Sequence, residues 1–432
     1  MIEPVNRRMA NVVSVSWGFP HGQKAVLNGE PSITLEAPLL DLSGYATSTR
    51  SLVKGLCSAG APPAIQPRWF KGAVSVSPLT VEEMKDDHLV LEDLYGNLFR
   101  YLLWIPRKEV EYFMPLISEP ISRKNFIIHM APYSYGLDHF EEASEKNPGY
   151  EKYIGSTMYE TDRLPKEWVS ACNRMDQVWV PTEFNVGTFS KSGVDASKIR
   201  KVPLGVDTTL CRPGMYPRRA NKNNTFVFLS VFEWARRKGW DILLEAFCRA
   251  FSMGDNVELL IRASAKGEHG IKKIVNEFFK EKNIDSSFLS KIKLMDHPIN
   301  TFSLYSLYES CDAFVLPSRG EGWGMPYLEA MAFGKPVIGT NWGGNTEFMT
   351  NSNSFLIESE KEEELTDQDL MDNPCLLKGH KYSKPSLDHL VELMRTVYKD
   401  KTLRQRIAQH GLRDAHEKWN HVNYAATALK SL

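Results

Sequence analysis

Two glutamates, Glu321 and Glu329, stand with seven residues between them in the segment AFVLPSRGEGWGMPYLEAMAFGKPVIGTNWGGNTEF (313–348). A buried strand is expected to end at Pro317, followed by a loop carrying Gly320, Gly322 and Gly324. Pro326 suits a first helical turn, a helix runs through YLEAMAF, and Gly334 and Pro336 close it before the strand PVIGT. A glycine loop entering a helix presents unpaired backbone N–H groups and the positive end of the helix dipole, a setting that favours an anionic phosphate. Glu321 would lie beside any group attached to the phosphates, and Glu329, in the first turn, can accept two hydrogen bonds from a vicinal diol. A diphosphate flanked by two hydroxyl-rich groups is a nucleotide sugar. The competing reading is structural: a cap or dipole partner for Glu329, and a solvated loop charge for Glu321.

Holding such a loop requires a sheet. SITLEAPLL, NFIIHMAP, QVWVPT and KIRKVPLG read as strands in the first half, and TFVFLSVF, VELLIRA, KIKLMD, AFVLPS and PVIGT in the second. Helix-like stretches lie between them: TSTRSLVKGLC, EWVSACNRM, DILLEAFCRAF, GIKKIVNEFFKE and YSLYESC. The alternation predicts an α/β protein with two doubly wound parallel sheets, each with helices on both faces. Pro, Gly, Asn and cations concentrate in DTTLCRPGMYPRRANKNN (207–224), so the linker is placed there. ESEKEEELTDQDLMDN (358–373) reads as an exposed acidic loop or short surface helix. Leu387, Leu390, Met394 and Val397 fall at helical spacing, so the chain ends in helices.

Composition narrows the function. Lys plus Arg is 52 against Asp plus Glu 53, a net charge of −1, which offers no bulk attraction to nucleic acid or an anionic membrane. Six cysteines, at 57, 172, 211, 248, 311 and 375, show no zinc-ligand spacing and read as small buried hydrophobes in a reducing compartment. No run approaches the roughly 18 apolar residues of a spanning helix, so a cytoplasmic protein is expected. Peripheral membrane contact stays open through LFRYLLWIP (98–106), which reads first as a core strand. The two histidines of HEKWNH (416–421) are five apart, whereas the zinc-protease helix needs four. Asp367 and Asp369 form a DxD that reads as solvated surface, so no metal site is assigned. GxxxxGK[ST] and GxGxxG loops are both absent.

The segment around Glu321 and Glu329 resembles the E-x7-E motif of retaining GT-B glycosyltransferases, glycosyltransferase family four. KVPLGVDTTLCRP (201–213) is similar to that family's hinge phrase, and SVFEWARRKGWDILLEAF (230–247) to the first strand and helix of its donor domain. GSTMYETDRLPKEWVSACNRMDQVWVPTEFN (155–185) resembles its acceptor-side half, while the first 30 residues match none of its phrases. The resemblance implies two Rossmann-like domains facing each other across a cleft. Residues 1–210 would bind the acceptor and 211–410 the donor, with 411–432 a helix open to packing back on the first domain.

By the same resemblance, Glu321 would contact the transferred sugar beside the backbone of Gly324, Met325 and Pro326, and Glu329 would hold the ribose. Lys238 would neutralise the diphosphate. The family's usual Arg some six residues earlier is replaced by Phe232 and Glu233, so Arg236 or Arg237 would supply the second cation. Gly44 resembles the glycine that lets backbone approach the donor phosphate, with a plain tight turn as the alternative. His129 resembles the histidine set against the sugar, a satisfied core histidine being the other reading; Glu160 and Asp162 would lie on the acceptor side, or cap a helix. The implied activity is transfer of a hexose, with retention, from a UDP- or GDP-linked donor to a glycan, lipid or other hydroxyl. It would be a front-face displacement needing no metal or other cofactor. A catalytically silent GT-B scaffold is the alternative; a GT-B phosphorylase would need a pyridoxal-binding lysine that the sequence does not disclose.

Overall fold

The computed structural model describes residues 32–39, 44–68, 88–92, 98–102, 112–113, 116, 123–134, 137–219, 223–264, 270–296, 299–372 and 376–432. The first thirty residues, the end of LFRYLLWIP, Cys375, and parts of the loops at 262–267 and 295–300 lie outside them.

The first half is one parallel sheet. Strand β1 (Ile33–Pro38) leads into helix α1 (Gly44–Ser58) and then to β2 (Ala64–Arg68), β3 (Asn125–His129), β4 (Lys152–Ser156), β5 (Gln177–Val180) and β6 (Ile199–Lys201). Their spatial order is β6-β5-β4-β3-β1-β2. The second half repeats the plan with β7 (Phe226–Glu233), β8 (Val257–Ser264), β9 (Ile292–Met295), β10 (Ala313–Leu316), β11 (Val337–Thr340) and β12 (Phe355–Ile357), in the order β9-β8-β7-β10-β11-β12. All ten neighbouring pairs run parallel. Every residue of β10 and β11 is buried, as continuous apolar runs must be when helices cover both faces.

All nine strands read from the sequence form. β2, β4 and β12 were not among them: AIQPR carries a proline, KYIGS a glycine and two polar residues, and FLI is only three residues long. Leu98–Leu102 is a strand paired antiparallel with His88–Glu92, outside both large sheets. Among the described cysteines, Cys172, Cys211 and Cys311 are buried, whereas Cys57 and Cys248 are only partly so; all are free thiols.

The acidic stretch at 358–373, expected as an exposed loop or a short surface helix, forms a strand followed by a short helix. Strand β13 (Ser359–Glu364) pairs antiparallel with β14 (Lys381–Pro385), and a short helix, Asp367–Asp372, lies between them. This hairpin straps the second half to the first. Asp162 donates its backbone N–H to the Lys381 carbonyl at 2.9 Å, and its carboxylate accepts the Lys381 N–H at 2.6 Å. Leu365, Leu376 and Tyr382 of the strap join the first half's Phe126, Leu164 and Trp168 in one apolar cluster.

The second tie is the chain's end. Helix α2 (Lys401–Glu417) runs straight through residue 411, the expected boundary, with Gly411 placed against Met331 of the second half. The piece that returns to the first half is therefore α3 (His421–Ser431), whose N-cap Asn420 accepts from the Asn423 N–H at 2.9 Å. The linker and this return meet where Val206 donates to the Trp419 carbonyl and accepts from the His421 N–H, both at 2.9 Å. Beside them Lys54 of α1 pairs with the buried Asp207 at 2.5 Å. α3 packs on α1 so closely that a Cβ on Gly55 would lie 2.1 Å from the His421 carbonyl oxygen. Gly55→Val should therefore destabilise the protein by about 1–3 kcal/mol, read as a lower urea midpoint, while Gly60→Ala, in open space but at φ +75°, meets no clash and costs only the left-handed backbone strain, about 1–2 kcal/mol.

Candidate functional site

The carboxyl ends of the two sheets meet at the glycine loop. A Cβ on Gly320 would lie 2.3 Å from the Glu160 carbonyl oxygen, and one on Gly322 would meet the Met158 side chain at 2.6 Å. Beyond the loop a helix spans Met325–Ala332, capped by Gly324 at φ +93°, with Pro326 in its first turn. That left-handed conformation, and a Tyr327 ring 2.6 Å from where a Cβ would stand, leave glycine as the residue that fits. No side chain caps this terminus; Pro326 has no N–H and the Tyr327 N–H donates to the Gly324 carbonyl at 3.1 Å, so what the end offers the loop is chiefly the positive end of the helix dipole.

The cations arrive from β7. Arg236–Lys238 form a single 3-10 turn, closed by Gly239 at φ +70°. A Cβ on Gly239 would stand 2.0 Å from the Pro317 carbonyl oxygen, so glycine lets this turn press directly on the strand end that feeds the loop. Lys238 Nζ then donates to Glu321 at 2.6 Å, and Arg237 sits 3.8 Å from the same carboxylate. Arg237 also donates to the Gly320 carbonyl at 2.5 Å and faces Glu160 at 3.4 Å. Burial alone would push Glu321 upward, but Lys238 and Arg237 outweigh it and hold the carboxyl below its ordinary range. For Lys238, burial and the neighbouring Arg237 together lower its pKa despite Glu321.

The choice left open between the two arginines has a geometric answer. Successive residues of a 3-10 turn point about 120° apart, and Arg236 turns away from the loop. Its guanidinium donates to Asp369 at 3.0 Å and to the Tyr382 hydroxyl, with Glu363 at 3.4 Å. Arg236, expected as a candidate second cation, is thereby engaged away from the glycine loop. Asp369, read as solvated surface, is buried and also accepts from the Thr366 N–H and hydroxyl at 2.8 and 2.6 Å. Among the described residues no cluster of three or more His, Cys, Asp or Glu could hold a metal.

Glu329 lies within the same helix, but its carboxylate is buried and accepts from the Tyr308 hydroxyl at 2.9 Å. Burial pushes it up to about 7, partly opposed by the Tyr308 bond and by Arg50 of α1. His129 is not presented to a ligand. It is 1% exposed, with one ring nitrogen 2.6 Å from the Ser48 hydroxyl and the other 2.8 Å from that of Ser156. Burial lowers its pKa to about 4, so a neutral imidazole ties α1 to the sheet, and the expected catalytic contact is replaced by the satisfied core reading. Gly44 opens α1, Glu160 faces Arg237, and Asp162 anchors the strap. Arg319 is the residue that the motif reading passed over: it is buried and reaches Asp241, Glu363 and the Arg236 carbonyl. Its signal was an arginine directly beside the loop glycines.

Two facing Rossmann-like domains, each on a six-stranded parallel sheet, make the fold GT-B. The profile described as "Glycosyl transferases group 1" matches residues 223–370. A GDP-mannose-dependent monoacylated alpha-(1-6)-phosphatidylinositol monomannoside mannosyltransferase of Corynebacterium glutamicum is 29% identical over 32% of this chain and 36% of its own length. A D-inositol 3-phosphate glycosyltransferase of Paenarthrobacter aurescens is 26% identical over 39% and 41%. The chain thus spans less than half the length of these curated relatives. Among solved structures, Anabaena HepE, in complex with UDP and glucose, aligns over 93% of this chain and 99% of its own at a TM-score of 0.58 and 14% identity. The sucrose-phosphate synthase of Thermosynechococcus elongatus aligns over 92% and 97% at 0.61 and 16%.

The buried Glu329 makes stability depend on pH. Its folded pKa, about 7, lies above the ordinary 4.5, so the associated stability is full below about 4.5 and is lost as pH rises through 7. Glu329→Gln removes this titration. The variant's stability relative to the wild type should rise between about pH 5 and 8, by up to ~1.4 kcal/mol per pH unit; a difference flat with pH in urea unfolding would contradict the placement.

Proposed function

We propose that the protein is a retaining glycosyltransferase that moves a hexose from a UDP- or GDP-linked donor to a hydroxyl of a glycan or lipid-linked acceptor. The observation that carries the reading is the convergence of Lys238 and Arg237 on Glu321 at the N-terminal end of the helix Met325–Ala332. That arrangement gives two cations, the positive end of a helix and one carboxylate at a single point, which suits a diphosphate joined to a polyol.

In this reading residues 211–410 hold the donor and 1–210 the acceptor. The diphosphate lies on the helix N-terminus and draws Lys238 and Arg237 toward itself. Glu321 then accepts from hydroxyls of the transferred sugar, and Glu329 from the ribose. The acceptor hydroxyl attacks the anomeric carbon from the face that the diphosphate leaves, the C–O bond to the phosphate breaks, and the acceptor proton passes to the departing phosphate oxygen. Charge grows on the diphosphate in the transition state, so Lys238, Arg237 and the helix terminus act where it develops. No metal is needed to neutralise it. The relatives' names point to both donor types: GDP-mannose for the Corynebacterium enzyme and UDP for the HepE complex. They equally support a carbohydrate or lipid-linked acceptor, as in the phosphatidylinositol mannoside of the first. With no described helix long and apolar enough to cross a membrane, such an acceptor would be met from the membrane surface.

Lys238→Ala should lower kcat about 100- to 1,000-fold with a smaller change in donor KM, and Glu329→Ala should raise the donor KM. Full activity in both variants would sink the site assignment. Proton NMR of the first product decides stereochemistry: the donor's anomeric configuration is expected, and an inverted product would refute retention whatever the fold.

A further inference from the structure

The cation turn and the glycine loop come from strands β7 and β10, and something must hold their relative position to a fraction of an ångström if Lys238 and Arg237 are to meet one diphosphate. Arg319 stands between them. Its backbone N–H donates to the Arg237 carbonyl at 2.7 Å, and its own carbonyl accepts from the Ser383 N–H of β14 at 2.9 Å. Its guanidinium, buried with its side chain 4% exposed, makes a fork onto Asp241, with Nη1 and Nη2 each 2.8 Å from one carboxylate oxygen. Nη1 also reaches the Arg236 carbonyl at 2.8 Å, and Nε donates to Glu363 of the strap at 2.8 Å.

We propose that Arg319 is a positioning residue: by bridging Asp241, the Arg236 carbonyl and Glu363 it fixes the 236–238 turn against the glycine loop, so that Lys238 and Arg237 converge on Glu321. The claim deepens the glycosyltransferase reading and rests on it for its catalytic consequence. The placement of Lys238 stands on the geometry alone. Arg319 bonds to Asp241, the Arg236 carbonyl and Glu363 rather than to Glu321 or Lys238, so it acts through the turn. Only a planar fork serves. The three directions are spanned by Nη1, Nη2 and Nε, and a lysine ammonium at the same place cannot reach them together. The strap enters the same device, because Glu363 and the Ser383 N–H both hold Arg319 from the outside. A hairpin absent from the motif reading thus sets the geometry of the motif.

The test separates placement from stability. In the wild type, Lys238 Nζ is bonded to Glu321 and should acylate slowly with an amine-reactive ester, as followed by peptide mass spectrometry. In Arg319→Gln, measured on protein that keeps a cooperative melt, its acylation rate should rise about tenfold or more while exposed lysines such as Lys146 keep theirs. Transfer kcat should fall by about a hundredfold, with acceptor KM unchanged. Added to Lys238→Ala, the substitution should cost little further, since both remove the same function. Arg319→Lys should behave like Arg319→Gln, and it serves as the decisive variant if the glutamine variant does not fold. Unchanged protection of Lys238 in the folded variant overturns the proposal, as does a full additive loss in the double variant. If the wild type transfers no sugar from any UDP- or GDP-linked donor, the functional reading fails and the Lys238 acylation rate still decides the role of Arg319.

Discussion

A lysine ammonium and a glutamate carboxylate, both withdrawn from water, meet at 2.6 Å where the two sheets face each other. Buried charges are costly to desolvate, and breaking such a pair by removing one partner typically costs about 3–5 kcal/mol. The surroundings are built to keep Lys238 and Glu321 together. Gly239 lets the cation turn lie on the strand end at Pro317, Arg237 adds a second cation and a bond to the Gly320 carbonyl, and the helix terminus behind Gly324 is left without a side-chain cap. A site of this kind is arranged in advance, and pre-set dipoles and charges are what stabilise a charge that appears only during reaction.

The same economy extends outward in layers. Arg319 lies behind the cation turn and the strap lies behind Arg319. Beyond the strap, Asp162 and the apolar cluster around Trp168 belong to the first half. The two halves are joined on this side by the strap, on another by Glu347 with Lys201 and Glu183, and at the back by α3 on α1. The ring of Trp342 packs against Phe184 with centroids 4.8 Å apart, adding an apolar contact beside the Lys201 ion pairs. A relative rotation of the halves would therefore strain named contacts, among them the strap, which reaches the cation turn through Arg319 and Arg236.

Much of this was legible in the chain. The strand runs were long and apolar enough to declare themselves, and the glycine loop with its two glutamates stood out because turn residues, a helix start and acids occurred in one order. What stayed hidden was decided by tertiary partners. Arg236, Arg237 and Lys238 look alike in sequence, yet a 3-10 turn sends them in different directions, and only the presence of Asp369 on one side and Glu321 on the other separates their roles. His129 offered no sequence sign that Ser48 and Ser156 would occupy both its nitrogens. The strap was read as solvated because its strand is acidic and mostly exposed, although its Glu363 and Asp369 face inward onto arginines. Charge density along a segment reports its average exposure and says little about the one or two carboxylates that it buries.

The central claim is that a nucleoside diphosphate is held by Lys238 at the N-terminal end of the helix Met325–Ala332. Phosphorus NMR of UDP and of GDP titrated with the protein tests it directly. The account predicts that the β-phosphorus of at least one of them shifts and broadens on binding, and that Lys238→Ala abolishes most of the shift. A bound nucleotide whose β-phosphorus responds equally in the wild type and in Lys238→Ala would contradict it, as would no response to either nucleotide.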